Sequence, residues 1–174
     1  AVKWFRDPQN LGPHKFPRIH HADWNDALNI PDEQAESVMM AMLIGKAYDD
    51  MVRLSCAISD FSYAEELSHA KQALVELVNQ VAYNGEYYVR AFSKFGIVGD
   101  KTCENGGKIY VNPQSWAILA DMCPEDRKQS VLKAIDAMET EDGLPMCTPS
   151  YATYDESVGR MSGMLPGVYE NGGI

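Results

Sequence analysis

The chain lacks any run approaching the roughly 20 apolar residues of a membrane helix, so no spanning segment is expected. It lacks a basic excess, because 15 Lys and Arg stand against 25 Asp and Glu, a formal charge of −10. Nucleic acid is therefore not expected as a partner, since binding phosphate backbones requires a basic face. It lacks a CxxC pair and any Cys/His pair at zinc spacing. Its four cysteines, Cys56, Cys103, Cys123 and Cys147, stand far apart. Cys56 and Cys123 fall in or beside helical patterns, where a thiol acts as a small apolar filler. Free thiols imply a reducing compartment, and a bacterial cytoplasm is the expectation. The first residues, AVKWFRDPQN, do not have the form of a signal peptide. What remains is ordinary: 174 residues, 45% hydrophobic and 23% charged, enough for one domain with a real core.

Up to about Pro31 the chain is rich in Pro, His and Asn without helical period, and reads as loop. From Asp32, DEQAESVMMAMLIGKAYDDMVRLSCAI reads as helix, with Asp32 as N-cap and acidic residues in the first turn. Its middle, Val38 to Ile44, is apolar on every side, as in a helix enclosed by others. A second helix, about Tyr63 to Ala82, is amphipathic, with Leu67, Ala70, Leu74, Leu77, Val78 and Val81 on one face. EYYVRAF then reads as a strand, and Gly96, Gly99 and the Glu104–Gly107 stretch as turns of a short hairpin insertion. Asn112-Pro113 is a capped helix start, and Pro124 opens a further amphipathic helix containing Val131, Ala134, Ile135 and Met138. From Gly143 the chain is loop, with a short strand at LPMCT. Buried helices alternating with amphipathic ones fit two concentric helical layers, and equally an ordinary bundle. The fold class is mainly α.

Polar side chains are densest at Arg18-Ile19-His20-His21-Ala22-Asp23-Trp24-Asn25-Asp26. Three readings of this stretch compete. Asn25 and Asp26 serve as turn or capping residues and Trp24 as packing. Or His20, His21, Asp23 and Asp26 hold a divalent metal, although adjacent His side chains rarely share one ion. Or Trp24 offers a flat face to a sugar ring while a neighbouring carboxylic acid protonates a glycosidic oxygen.

PRIHHADWNDALN resembles the acid-bearing loop of the cellobiose phosphorylase family, the inverting phosphorylases of glycoside hydrolase family 94, which reads approximately GDWND. Three further stretches are similar in the same order. AESVM resembles the family's GESVW, KIYVNPQSWAILA its KIFxEPQSWAVLA, and LPGVYENGGI its PPGxxENGGI. The resemblance runs from about Phe16 to Ile174. It implies a partial (α/α)6 barrel and reversible phosphorolysis of a β-linked disaccharide with inversion, giving an α-sugar 1-phosphate and an acceptor sugar. It makes Asp26 the general acid and places Trp24 and Glu170 against the donor sugar. No metal or cofactor is implied, only inorganic phosphate as co-substrate. Phosphate is already an anionic nucleophile, so the second carboxylate of an inverting hydrolase becomes unnecessary. Asp26 must be protonated when substrate binds, which favours a site where burial or nearby negative charge raises its pKa, with Asp23 and the incoming phosphate as candidates for that charge.

Family members are several times longer. Residues 1–174 are therefore expected to be an internal piece of the catalytic domain, without the family's N-terminal β-sandwich or its later phosphate-binding His, and inactive alone. A partial barrel would leave inner helices exposed unless they repack or associate, for example as a homodimer. Two acceptor-side positions depart from the cellobiose-specific pattern: Tyr169 stands where those members have Lys, and Arg160 where they have Glu. Arg160 is either a solvated loop residue or a partner for an acidic acceptor such as gluconate, which would make the substrate cellobionic acid, with cellobiose, chitobiose and other β-glucosides as the alternatives. A non-catalytic sugar-binding piece and an inverting (α/α)6 hydrolase are the alternatives.

Overall fold

The computed structural model describes residues 2–174. Five α-helices and two small antiparallel sheets make a mainly α structure in which long loops carry much of the chain. No described helix is long and apolar enough to cross a membrane. Helix α1 (Val2–Phe5) and a 3-10 turn at Pro8–Asn10 interrupt the first stretch, which is otherwise loop as expected.

The helix expected from Asp32 starts six residues later. Strand β1 (Glu36–Ser37) precedes α2 (Val38–Ala57), and Ser37, not Asp32, is the N-cap, its Oγ accepting the Met40 amide at 3.1 Å. The Asp32 carboxylate is committed elsewhere: it accepts the Gln34 amide and, at 2.7 Å, the Lys94 amide. Val38, Met39, Ala41, Met42 and Ile44 are buried, but Leu43 is 40% exposed, so the helix is not enclosed on every side.

Helix α3 (Phe61–Val81), capped by Asp60, packs along α2. Strands β2 (Ala91–Ser93) and β3 (Gly96–Val98) form the hairpin, and β2 also pairs with β1. EYYVRAF is mostly not strand, for a visible reason. The Gln114 side chain, fully buried, accepts the Tyr88 amide at 2.9 Å and donates to the Tyr88 carbonyl at 2.7 Å, replacing a neighbouring strand.

Strand β4 (Ile109–Tyr110) pairs with β5 (Cys147–Thr148), the short strand expected in LPMCT. Helix α4 (Val111–Leu119) follows β4 directly, so Tyr110 takes the N-cap position and Asn112 lies inside the first turn. Helix α5 (Glu125–Asp136) begins after Pro124, as expected, and buries Val131. The closing loop contains 3-10 turns over Glu156–Gly163, broken at Gly159 (φ 74°, ψ −150°).

One core joins the helices: Val38, Met42, Val78, Ala117, Met122 and Val131 meet Phe16 and Tyr88 there. A second lies beneath the loops, where Ile19, Leu28, Tyr110, Tyr151, Val158 and Met161 pack together. Cys123 fills the first core as anticipated, whereas Cys56 is exposed and fills nothing, and all four thiols are free. The polar loop of the candidate site rests on the second core.

Candidate functional site

Residues 23–27 alternate in and out. The Asp23 side chain is fully buried, Trp24 is 64% exposed, Asn25 is buried, Asp26 is exposed and Ala27 is buried. Short polar side chains build this turn by bonding the nearby backbone. Asp23 Oδ1 accepts the Asn25 amide at 2.9 Å, and Asn25 Oδ1 accepts the amides of Ala27 and Leu28 at 3.0 and 3.1 Å. Asn25 is thus a turn residue, but Trp24 is not packing.

Asp23 is held by an Arg that no sequence spacing singled out. Arg90, 1% exposed, sets Nη2 at 2.7 Å from Asp23 Oδ1 and Nη1 at 2.7 Å from Oδ2. Ser37 Oγ donates to Oδ2 at 2.6 Å, so both carboxylate oxygens are occupied. Burial pushes the Asp23 carboxyl up, but the Arg90 charge and the bonds from Arg90, Ser37 and the Asn25 amide outweigh it and hold it below the ordinary carboxylate range. The expectation that Asp23 supplies negative charge to Asp26 is therefore overturned, since Arg90 neutralises that charge at contact distance.

The Arg160 loop meets this turn. The Arg160 amide donates to Asn29 Oδ1 at 2.7 Å, its Nη2 donates to the Asp26 carbonyl at 3.2 Å, and the Met161 amide donates to the Ala27 carbonyl at 2.9 Å. Gly159 permits the approach, because at its positive φ a Cβ would strike Asn29.

Trp24 and Asp23 line a cleft of about 550 Å³ together with Met39, Met40, Leu43, Asn112 and Trp116. Asp26 is not in its wall. Among the described residues, Asn112 Oδ1 is a buried acceptor without a partner. His20 and His21 face another cleft, with Arg18, Asp32, Glu33 and Lys94. Among the described residues no three His, Cys, Asp or Glu side chains converge as ligands of a metal ion would.

Tyr169 and Glu170 lie on the last loop. Tyr169 is 77% exposed at φ 48°, and its carbonyl accepts the Gly173 amide at 2.8 Å. Glu170 is half-buried. Neither side chain hydrogen-bonds to the Asp26 turn among the described residues. The loop is anchored by Asn171, fully buried, which exchanges bonds with both backbone groups of Tyr151. The Glu of AESVM is likewise structural: Glu36, 1% exposed, accepts the His14 and Phe16 amides and contacts His14 Nδ1 at 2.6 Å.

Among known proteins, the chain is similar to a solabiose phosphorylase of Paenibacillus borealis, 31% identical over 94% of this chain and 22% of the relative. A 3-O-beta-D-glucopyranosyl-beta-D-glucuronide phosphorylase of the same organism is 28% identical, with the same two coverages. A cellobionic acid phosphorylase of Neurospora crassa is 26% identical over 90% of this chain and 20% of the relative. The chain thus spans roughly a fifth of the length of the relatives it matches. Residues 4–174 match the catalytic-domain model of the glycosyl hydrolase 94 superfamily, and the chain belongs to that family.

Proposed function

We propose that residues 2–174 form part of the (α/α)6 catalytic barrel of an inverting disaccharide phosphorylase, with Asp26 as its general acid. The observation that carries this reading is the asymmetry of the two turn carboxylates. Asp23 is saturated by Arg90, Ser37 and a backbone amide, while the Asp26 side chain stands exposed beside it. Phosphorolysis requires one carboxylic acid to protonate the departing glycosidic oxygen, with phosphate attacking from the opposite face of the ring. An inverting hydrolase would need a second, free carboxylate.

Trp24 offers the donor sugar an apolar ring face, and Glu170 a carboxylate for its hydroxyls. Arg160 and Tyr169 belong to the acceptor side. An acidic acceptor, gluconate or a uronate, is favoured because the exposed guanidinium lies against the Asp26 backbone. Two of the relatives are named for acidic disaccharides. No cofactor takes part beyond inorganic phosphate, and the acidic balance of the chain fits neutral or anionic sugars no better than it fits solution generally. Four free thiols fit a cytoplasmic setting, and the exposed Leu43 and Leu119 suit contact with further barrel helices or a second copy.

The test is cleavage of β-linked disaccharides by the full-length protein that carries this segment, with and without inorganic phosphate, followed as free acceptor sugar and as sugar 1-phosphate. Strict phosphate dependence is expected, with cellobionic acid cleaved faster than cellobiose. Cleavage at equal rates without phosphate would establish the hydrolase instead. Residues 1–174 alone, about a fifth of the length of the relatives, are expected to release no sugar 1-phosphate. Sugar binding by the full-length protein without turnover would favour a non-catalytic binding role.

A further inference from the structure

We propose that Arg90 is a positioning residue of the reaction: by clamping Asp23 it holds the 23–27 turn, which carries Trp24 and Asp26 on its exposed side. This rests on the functional reading above. Stability does not account for an ion pair here. Desolvating two buried charges offsets most of their attraction, and apolar side chains of equal volume commonly serve as well. What a guanidinium supplies that an apolar chain or a Lys does not is orientation, because two parallel contacts fix the plane of the carboxylate.

The bonds form an unbroken series. Arg90 fixes Asp23, Asp23 Oδ1 accepts the Asn25 amide, and Asn25 Oδ1 accepts the amides of Ala27 and Leu28. Asp26 lies within that last loop of bonds, and Trp24 lies between the first two anchors. Arg90 is itself tied at the backbone on two sides: its amide donates to Val98 of β3 at 2.8 Å, and its carbonyl accepts the amide of Val38, the first residue of α2. Ser37 joins the same group, capping α2 while donating to Asp23 at 2.6 Å and lying 3.2 Å from Arg90 Nη1. The Arg side chain also depends on Gly99, where a Cβ would come within 2.7 Å of Arg90 Cβ. The turn is therefore referenced to the start of α2 and to the hairpin, rather than to its own loop.

Two variants separate positioning from mere support. Arg90→Lys keeps the charge and loses the fork. The double variant Arg90→Met with Asp23→Leu replaces the pair by apolar side chains and is expected to fold. In the full-length protein, kcat for phosphorolysis should fall about 10²-fold in both, the scale of a misplacement near 1 Å, with the KM for phosphate unchanged. A second measurement does not depend on catalysis: ¹⁹F NMR of protein labelled with 5-fluorotryptophan. The Trp24 resonance, assigned with Trp24→Phe, should shift and broaden in both variants, while that of Trp4 stays in place. Unchanged Trp24 resonances, or a kcat within twofold of wild type in both variants, would overturn the proposal. A displaced Trp24 resonance in a protein whose wild type releases no sugar 1-phosphate would leave the clamp standing and sink the phosphorylase reading.

Discussion

The guanidinium of Arg160 donates to the main-chain carbonyl of Asp26 across 3.2 Å, joining two residues 134 positions apart. The proposed acid and the proposed acceptor-side cation therefore belong to one local structure, joined through the Asp26 backbone rather than its carboxylate.

Arg160→Ala should show this as a change in acceptor preference. A hydrogen bond to a charged group contributes about 1.5–3 kcal/mol, so the KM for gluconate in the synthetic direction should rise roughly tenfold to a hundredfold. The KM for glucose should change less than about twofold on the same reasoning. An acceptor panel run with wild type and variant in parallel measures both. Efficient use of glucose with no use of gluconate by the wild type would mark Arg160 as a solvated loop residue.

Asp26→Asn preserves shape and removes the proton donor. Phosphorolysis should fall by roughly 10² to 10⁴-fold, the range for a lost general acid. Asp26 makes no side-chain hydrogen bond among the described residues, so the melting temperature should barely move. Wild-type rates of sugar 1-phosphate release in this variant would remove Asp26 from the mechanism.

Acid should weaken the clamp from one side only. Asp23 titrates below its usual 3.8 in the folded state, because Arg90, Ser37 and the Asn25 amide favour its ionised form over the opposing effect of burial. Its contribution is present above the unfolded value and is lost as pH falls through the folded one, where the unfolded chain binds a proton that the folded chain refuses. The slope of stability against pH below 3.8 should therefore be shallower in the Arg90→Met, Asp23→Leu double variant. The difference is at most about 1.4 kcal/mol per pH unit, the value for one proton. Denaturant midpoints collected between pH 2 and pH 5 provide the comparison, and identical slopes would show that Asp23 is not ionised in its pair.

The thiols should divide by location. Burial pushes the Cys147 thiol up to about 12, whereas Cys56 is exposed on α2. The thiolate is the reacting species, so brief alkylation at pH 8 should modify Cys56 and spare Cys147. Mass-spectrometric mapping of the native protein decides it. Early labelling of Cys147 would mean that β5 opens readily.

Sequence reading located the turn residues and missed what holds them. Trp24, Asn25 and Asp26 are adjacent and carry their own motif, so the turn they form is legible. Arg90 lies 67 positions from Asp23, inside a segment that reads as a strand, and no spacing rule links the two. The start of α2 was misplaced because Asp32, Glu33 and Gln34 resemble a first helical turn. The Lys94 amide claims the Asp32 carboxylate, a tertiary contact that overrides local propensity. Asn112-Pro113 misled similarly, because β4 runs straight into α4 and leaves no room for a separate cap. Glu36, Gln114 and Asn171 sit within recognisable motifs, yet only the structure separates them, as buried scaffold, from residues that face outward.

The in-and-out alternation of the turn has a bearing on how such a protein diverges. Asp23, Asn25 and Ala27 answer to the interior, where an exchange has to be matched by the buried partners. Trp24 and Asp26 answer only to what lies outside the chain. Selection can therefore retool Trp24, or the Arg160 loop beside the turn, without renegotiating the foundation. A lineage built this way can pass from one sugar partner to another while its interior stays as it was.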